Sequence, residues 1–203
     1  MTESRTLALN TIRAEHGTLA AVVRNLRDLL VELRGQRAAV DFPLLWSMVY
    51  YIDAFPDRLH HPKEDQWLFR LLRLRTGEAD ALIDELQRQH AHEPRALGEI
   101  RRHLGNLEAG VPASMEMLQR TVATYAEFTW RHIRAEEQEL LPLAEAHLTP
   151  ADWAEIARAF CENADPLSGF GEADAFRQRF REIVQRTPAP LGLAQPWVAA
   201  PPA

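Results

Sequence analysis

Apolar residues recur at helical spacing over four long segments, and this periodicity constrains the fold more than any other feature of the chain. In the first segment, about residues 6–34, the steps are seven, four and three, through Ile12, Leu19, Val23, Leu26, Leu30 and Leu33. Such steps place side chains on one face of an α-helix. The segment is therefore predicted to be an amphipathic helix that packs into a bundle.

Three further helices are predicted from the same periodicity. The second begins after Asp41 as N-cap and runs to about Arg75, the third covers about residues 78–108, and the fourth covers about 114–147. Short links that contain glycine or proline separate the segments. Four helices of roughly 30 residues, each about 45 Å long, predict an all-α fold with an up-down-up-down four-helix bundle.

Two shorter helices and a proline-rich tail are predicted to follow the bundle. Thr149-Pro150 has the form of a helix N-cap followed by a first-turn proline, and it starts the fifth helix. The sixth helix is predicted over about residues 172–185, and the stretch 187–203 is rich in proline. We therefore expect a division into the bundle, residues 1–148, and a C-terminal helical extension and tail, residues 149–203.

Composition argues against several classes of partner and site. The formal net charge of −6, with no basic tract, argues against nucleic acid or anionic lipid as the main partner. No apolar run approaches the roughly 18 residues of a membrane span, and the N-terminus lacks the pattern of a secretory signal. The single cysteine, Cys161, can form neither an internal disulfide nor a thiolate metal cage. We expect a cytoplasmic protein.

Each of the four bundle helices carries a histidine in its apolar stripe, and two of them carry a glutamate one turn later. The six inward residues are His16, His60, Glu64, His90, His132 and Glu136. Counted from the helix ends, the histidines of antiparallel neighbours lie at matching heights, to within about one turn or 5 Å. The sequence therefore predicts that all four histidines meet at one level of the bundle.

A bound metal explains these residues better than core packing does. One inward histidine is most often a hydrogen-bonded core residue, but four at one height are not expected by coincidence. Burial of two carboxylates without a compensating cation would destabilise the fold by roughly several kcal/mol for each one. Imidazole and carboxylate at i and i+4 share one helix face and can converge on a metal. Six nitrogen and oxygen ligands exceed one tetrahedral zinc and suit two metals, with iron favoured over manganese or zinc.

Three segments carry a resemblance to a known family. They are residues 12–16 (IRAEH), 60–69 (HHPKEDQWLF) and 132–137 (HIRAEE). Over about residues 6–148 the chain resembles the hemerythrin-like, HHE cation-binding proteins. The resemblance implies a non-haem di-iron centre, two Fe ions with oxo or hydroxo and carboxylate bridges. Family roles include O₂ carriage, sensing of O₂, iron or redox state, NO-related chemistry, and repair of iron–sulfur centres.

The ligand pattern differs from that of the oxygen-carrying members of this family. Those members have two histidines one turn apart on the third helix and five in total, whereas the residue four after His90 is Pro94. Four histidines and two glutamates are closer to the pattern of the di-iron proteins that repair iron–sulfur centres.

Three further residues are candidates for additional ligands or for groups that contact the ligands. His61 begins a second His-x-x-x-acid pair with Asp65, in a register rotated by one residue from His60 and Glu64. We favour His60 and Glu64 because the apolar stripe through Trp67, Leu71 and Leu74 continues from them.

The other two candidates lie on the third and fourth helices. Glu93 is one turn from His90 and either approaches the centre or lies on the surface. Tyr125 is two turns before His132 and either lines the pocket or fills the core. His92 and His103 are expected to be solvated, because they point away from the direction of His90.

The leading functional hypothesis is a di-iron protein that binds a small diatomic ligand or peroxide in its open coordination positions. Such a protein would sense or reduce O₂, NO or peroxide. The alternative is an iron-binding or iron-sensing module that acts through a protein partner without turnover, and the third possibility is a purely structural bundle. A protein partner or a homodimer is compatible with the first two.

Overall fold

Helices make up almost all of the structure, a computed structural model that describes residues 3–33, 40–161, 181–183 and 185–187. The helical elements, in chain order, are α1 (Glu3–Glu32), α2 (Phe42–Phe55), π1 (Pro56–His60), α3 (His61–Lys63), π2 (Glu64–Phe69), α4 (Arg70–Arg73), α5 (Asp80–Glu108), α6 (Ser114–Ala135), π3 (Glu136–Leu140), α7 (Leu141–His147) and α8 (Pro150–Cys161). No β-strand occurs within the described ranges, which agrees with the predicted all-α class.

These elements form four long helical segments. The second segment is the continuous run from α2 to α4, and the fourth is the run from α6 to α7. Helix α1 packs against α2 and α6, and α5 packs against the same two helices. Each segment therefore neighbours the next along the chain and the first neighbours the last, which confirms the predicted four-helix bundle. None of the described helices combines the length and apolar character needed to cross a bilayer.

Local signals fix where the helices begin. The carboxylate of Asp41 accepts a hydrogen bond from the amide of Leu44 at 3.0 Å, and Pro43 occupies the first turn of α2. Gly110 has φ of +76° in the link between α5 and α6, a left-handed conformation that glycine adopts without steric cost. The predicted bounds of the second, third and fourth helices agree with the structure to within two residues. The predicted end of the first helix, near Gly35, lies outside the described residues.

The apolar core is divided into two clusters by a polar layer. On α1, the residues up to Ile12 belong to one cluster and those from Leu19 onward belong to the other, with His16 between them. On α5 the same division falls between Leu86 and Leu97. The second and fourth segments are divided in the same way, so the predicted polar positions lie at one height.

Helix α8 packs along α1 and belongs to the same core. Its Trp153, Ile156 and Phe160 are buried with the apolar cluster at the start of α1. The carboxylate of Asp152 accepts a bond from the Thr149 amide, and the Thr149 hydroxyl accepts one from the Asp152 amide, which forms a reciprocal N-terminal cap.

The predicted C-terminal elements are only partly within the described residues. Residues 181–183 and 185–186 are helical, inside or next to the predicted sixth helix. The rest of that helix and the tail from residue 188 onward lie outside the described residues. The division of the chain at residue 148 stays a prediction.

Candidate metal centre

Two prolines accompany the π-helical turns that shape the centre. Pro62 has no N–H, so the carbonyl of Arg58 receives no helical hydrogen bond from it. The preceding residue, His61, donates its amide to the carbonyl of Pro56, five residues back, which is the π-helical pattern. In the fourth segment Pro142 follows π3, where the Leu141 amide bonds to the carbonyl of Glu136. A π-turn is wider than an α-turn and is often found at functional sites.

The widened turns place two consecutive histidines in the interior. His60 and His61 are 1% and 5% exposed, and Glu64 is fully buried. The sequence analysis favoured the register of His60 over that of His61 and kept His61 as a candidate for an additional ligand, and the structure buries both histidines. The apolar stripe used to choose between them is also wrong at its end, because Leu74 is 65% exposed. A helix with two π-turns does not keep one 3.6-residue register along its length.

Glu64 lies between histidines from three segments. Its Oε1 is 3.2 Å from His60 Nε2 and 3.6 Å from His16 Nε2. Its Oε2 is 3.6 Å from His90 Nε2. The two oxygens of this carboxylate therefore face different groups of histidines.

Glu136 spans the same space from the fourth segment. Its Oε2 is 3.2 Å from His16 Nε2, and its Oε1 is 3.3 Å from His132 Nε2 and 3.8 Å from His90 Nε2. Both glutamates thus direct one oxygen to each side of the centre, as carboxylates that bridge two metals do.

Two groups of side chains have the geometry to hold a cation. Pocket A consists of His16, His60, Glu64 and Glu136. Pocket B consists of His61, Glu64, His90 and His132. Within each pocket the possible ligand atoms, one from each residue, lie within 4.8 Å of one another, and all of these residues are buried. Glu64 belongs to both pockets.

The atoms that face the centre are not satisfied by protein groups. Nine buried nitrogen and oxygen atoms of the seven side chains in pockets A and B make no hydrogen bond to the described residues: the Nε2 atoms of His16, His60, His90 and His132, the Nδ1 atom of His61, and both carboxylate oxygens of Glu64 and Glu136. Their separations of 3.2–3.8 Å bring opposite charges close but lack hydrogen-bond geometry. Buried polar atoms without partners are costly, and bound cations would satisfy all nine. The donor set of nitrogen and oxygen suits iron.

Four of the histidines are held from behind through Nδ1. In pocket A, His16 Nδ1 lies 3.0 Å from Glu137 Oε1 and His60 Nδ1 lies 2.8 Å from Glu15 Oε2. Glu15 also accepts a bond from Lys63 Nζ at 2.9 Å. Such outer contacts fix the tautomer and the orientation of ligand histidines.

The two corresponding contacts in pocket B carry less charge. His132 Nδ1 lies 2.9 Å from the amide oxygen of Gln89, and His90 Nδ1 lies 3.4 Å from Asp65. Gln87 also donates to Asp65. Asp65, the alternative ligand in the sequence, therefore lies behind His90 rather than in either pocket.

Without a bound cation the histidines of pocket A hold protons. Burial lowers the pKa of His60, but the charge of Glu64 and the contact with Glu15 outweigh it and raise the pKa to about 9. The pKa of His16 is likewise raised well above its usual value, because contacts with Glu136 and Glu137 exceed the effect of burial. Both side chains are therefore cationic at neutral pH.

Two of the three histidines of pocket B are neutral without a bound cation. Burial and the neighbouring charge of His90 lower the pKa of His61 well below its usual value, and burial also lowers that of His132. Only His90 among the three is raised, to about 10, because its contacts with Asp65 and Glu136 outweigh burial. Burial and the charge of Glu64 raise the pKa of Glu136, but the facing histidines outweigh both and lower it to about 2.

The two pockets differ in their access to solvent. Pocket A lies beneath α8, where the ring of Phe160 meets His60 edge-on at 6.2 Å and Lys63 Nζ lies 4.7 Å from the same ring. Pocket B adjoins a surface cavity of about 400 Å³. The cavity is lined by His61, Pro62, Asp65, Gln66, Gln87, His90 and Ala91.

The structure brings together all six predicted inward residues. Glu93 and Tyr125 are also buried and contact each other, behind His61. Sequence reasoning missed Glu15, Glu137 and Gln89, although Glu15 directly precedes a predicted ligand and Glu137 directly follows one.

One minor prediction about the remaining histidines is wrong. His92 is exposed as expected, but His103 is buried and accepts a hydrogen bond from Arg102 at 3.0 Å. Helix α5 packs against both α2 and α6, so its buried face is wider than a single apolar stripe.

A comparison with protein families gives one match. The model of the hemerythrin HHE cation-binding domain matches residues 7–144. No curated protein and no solved structure gives a significant match. The matched range contains both pockets and ends before α8.

Proposed function

Since the chain belongs to the hemerythrin HHE cation-binding family and is a metal-binding helical domain, we propose that it holds two iron ions, one in each pocket. The observation that carries the proposal is the set of nine buried, unsatisfied donor atoms around two shared carboxylates. His16 and His60 would bind the ion in pocket A, and His61, His90 and His132 would bind the ion in pocket B. Glu64 and Glu136 would bridge the two, and manganese or zinc is the alternative occupant.

The numbers of donors in the two pockets support ligand binding at the centre. One oxygen from each glutamate gives pocket A four protein donors and pocket B five. Iron accepts up to about six donors in such sites, so pocket A keeps more room for an added ligand. Bound iron would supply redox chemistry and open positions for O₂, NO or peroxide. We infer that the protein binds one of these molecules and senses or reduces it.

The cavity beside pocket B is a suitable route for such a ligand. Its polar lining of Asp65, Gln66 and Gln87 excludes a large apolar substrate, and its size admits a molecule of two or three atoms. His61 and His90 form its inner wall. These rings stack with centroids 3.8 Å apart, so a small ligand would reach the space that the two glutamates share by passing beside the stacked pair.

Metal quantification combined with absorption spectroscopy tests this function. Protein loaded anaerobically with Fe²⁺ should contain about two ions per chain, and its near-ultraviolet and visible spectrum should change on addition of O₂, NO or peroxide. Loaded protein with an unchanged spectrum for all three ligands contradicts small-ligand chemistry. Protein that takes up no stoichiometric metal contradicts the whole proposal.

The position of α8 favours a second candidate, an iron-sensing module without turnover. Phe160 on α8 contacts His60 and Lys63, and Lys63 contacts Glu15, so a metal ion in pocket A would act on this helix through these contacts. Hydrogen exchange of residues 150–161 should then slow when iron binds. Iron-dependent capture of a protein partner, with no reaction toward O₂, NO or peroxide, favours this alternative.

A further inference from the structure

A buried tyrosine and a buried glutamate form a chain of contacts behind His61. The Tyr125 hydroxyl donates a short hydrogen bond to Glu93 Oε1, and Glu93 Oε2 lies 3.5 Å from His61 Nδ1. Tyr125 is 2% exposed and Glu93 is 4% exposed. The chain therefore crosses from α6 through α5 to the second segment, entirely within the interior.

This arrangement differs from the support of the other four histidines. Their Nδ1 atoms are held at 2.8–3.4 Å by an acceptor, and their unsatisfied Nε2 atoms face the centre. In His61 the unsatisfied buried nitrogen is Nδ1, the atom that faces Glu93. The His61 ring also stacks on that of His90, with centroids 3.8 Å apart and planes 14° apart. The direction of Glu93 therefore bears directly on where His61 can bind a metal.

The position of Glu93 Oε2 beside His61 depends on what holds the other carboxylate oxygen, Oε1. Glu93 lies one turn from His90, and rotation about its side-chain bonds would carry its charge toward or away from pocket B. The bond from Tyr125 holds Oε1 and leaves Oε2 beside the imidazole of His61. A fixed carboxylate next to a ligand histidine is one of the outer groups that set the orientation of its ring.

We propose that Tyr125 is a positioning residue that, through Glu93, holds His61 as the third histidine of pocket B. The inference rests on the proposed two-metal function and deepens it, because it assigns the difference between the pockets to a specific pair of residues. Pocket B then binds its ion with His61, His90 and His132 only when Glu93 is held in its present orientation.

The test compares metal binding by the full chain and by Tyr125→Phe, which keeps the ring and removes the hydroxyl. Anaerobic titration with Co²⁺, followed by calorimetry and visible absorption, resolves the two sites. We expect one site to weaken by about 10- to 100-fold with a changed ligand-field spectrum, and the other to stay within about twofold. Glu93→Gln should reproduce the effect. Tyr50→Phe, at an exposed tyrosine on α2, is the matched control.

A double-mutant cycle separates positioning from general structural support. If Tyr125 acts through His61, Tyr125→Phe should have no further effect on Co²⁺ affinity in a His61→Ala background. Thermal unfolding of the metal-free variants checks that each one folds, and Glu93→Gln replaces Tyr125→Phe if the latter does not. Equal affinities and spectra for wild type and Tyr125→Phe, or an undiminished effect in the His61→Ala background, overturn the inference. A wild-type chain that binds no Co²⁺ and no Fe²⁺ overturns the proposed function instead.

Discussion

Pockets A and B share Glu64, and Glu136 of pocket A also directs one oxygen toward His90 and His132, but the two pockets differ in almost everything around them. Pocket A has two histidines, both of them cationic without metal, and lies under α8. Pocket B has three histidines, two of them neutral, and adjoins the surface cavity. The pocket with more room for an added ligand is therefore the covered one, and the pocket with more protein donors is the accessible one. For the proposed two-iron protein, this difference predicts separate tasks, with ligand binding favoured at A and access at B.

The largest effect is expected from a substitution of Glu64, the side chain that belongs to both pockets. Glu64→Ala deletes an oxygen from each pocket, so affinity should fall by roughly 100-fold or more at both, and purified protein should carry almost no iron. His16→Ala should empty pocket A alone and leave about one ion per chain. Elemental analysis of protein expressed with added iron measures both. His92→Ala, at an exposed histidine, is the control, and loss of two ions in His16→Ala would contradict two separable pockets.

The second prediction uses the protons that each pocket holds without metal. An ion in pocket A displaces protons from His16 and His60, whereas an ion in pocket B displaces one from His90, because these are the histidines with raised pKa. The logarithm of the association constant should rise with pH with a slope of about two for A and about one for B near neutrality. Calorimetry in buffers of different ionisation enthalpy counts the protons released, with His90→Ala isolating pocket A. Equal slopes for pockets A and B would contradict the predicted difference in proton release.

The same pKa values predict how the metal-free fold responds to pH. The raised pKa values of His60 and His90 stabilise the fold fully below their unfolded value of 6.5, and this contribution is lost as pH rises through about 9 and about 10. The lowered pKa of Glu136 stabilises the fold above its unfolded value of 4.5, and this contribution is lost as pH falls through about 2. Chelated protein should therefore unfold more readily at pH 10 than at pH 6, while metal affinity changes in the opposite direction. Urea unfolding at both pH values measures the first trend.

The fourth prediction concerns access to the centre from solvent. Ala91→Trp places a large ring at the mouth of the cavity, so NO or O₂ should react with iron-loaded protein severalfold more slowly, with no loss of iron. Phe160→Ala opens the opposite side, at α8. Stopped-flow absorption compares the two variants with wild type. An unchanged rate in Ala91→Trp with a faster rate in Phe160→Ala would reverse the assignment of access to pocket B.

Helical periodicity was sufficient to predict six of the seven side chains of the two pockets as inward residues. His16, His90 and His132 lie on regular helices, where position along the chain fixes both face and height. The bundle and the six inward residues followed from that regularity. His61 followed only as a candidate for an additional ligand or a group that contacts the ligands, because a π-turn rotates the following residues away from the 3.6-residue register. Pro62 and Pro142 were the available signals, but a proline predicts an interrupted turn and not the direction in which the helix continues.

Contacts between side chains of different helical segments could also not be predicted from the sequence. Tyr125 and Glu93 are 32 residues apart, and neither a core tyrosine nor an inward glutamate specifies the other as its partner. The same holds for Glu15 on α1, which contacts His60 on the neighbouring second segment. Such pairs depend on side-chain direction and on the rotation of each helix, which apolar stripes define only to within about 100°.

The smallest expected effect concerns the helix that covers pocket A. Asp152 receives two bonds of 2.8 Å from the guanidinium of Arg75, and the pKa of its carboxyl is held well below the usual range by these bonds. Asp152→Asn weakens this ion pair and the cap of α8, which should cost about 1–2 kcal/mol of unfolding free energy. Glu155→Gln, also on α8, disturbs a half-exposed pair with Arg70 of α4 and should cost well under about 1 kcal/mol. If α8 closes pocket A, a chelator should also remove one of the two ions faster from Asp152→Asn than from Glu155→Gln, while removal of the other ion is unchanged. Equal acceleration for both ions would mean that α8 stabilises the bundle as a whole and that the covering of pocket A has no separate role.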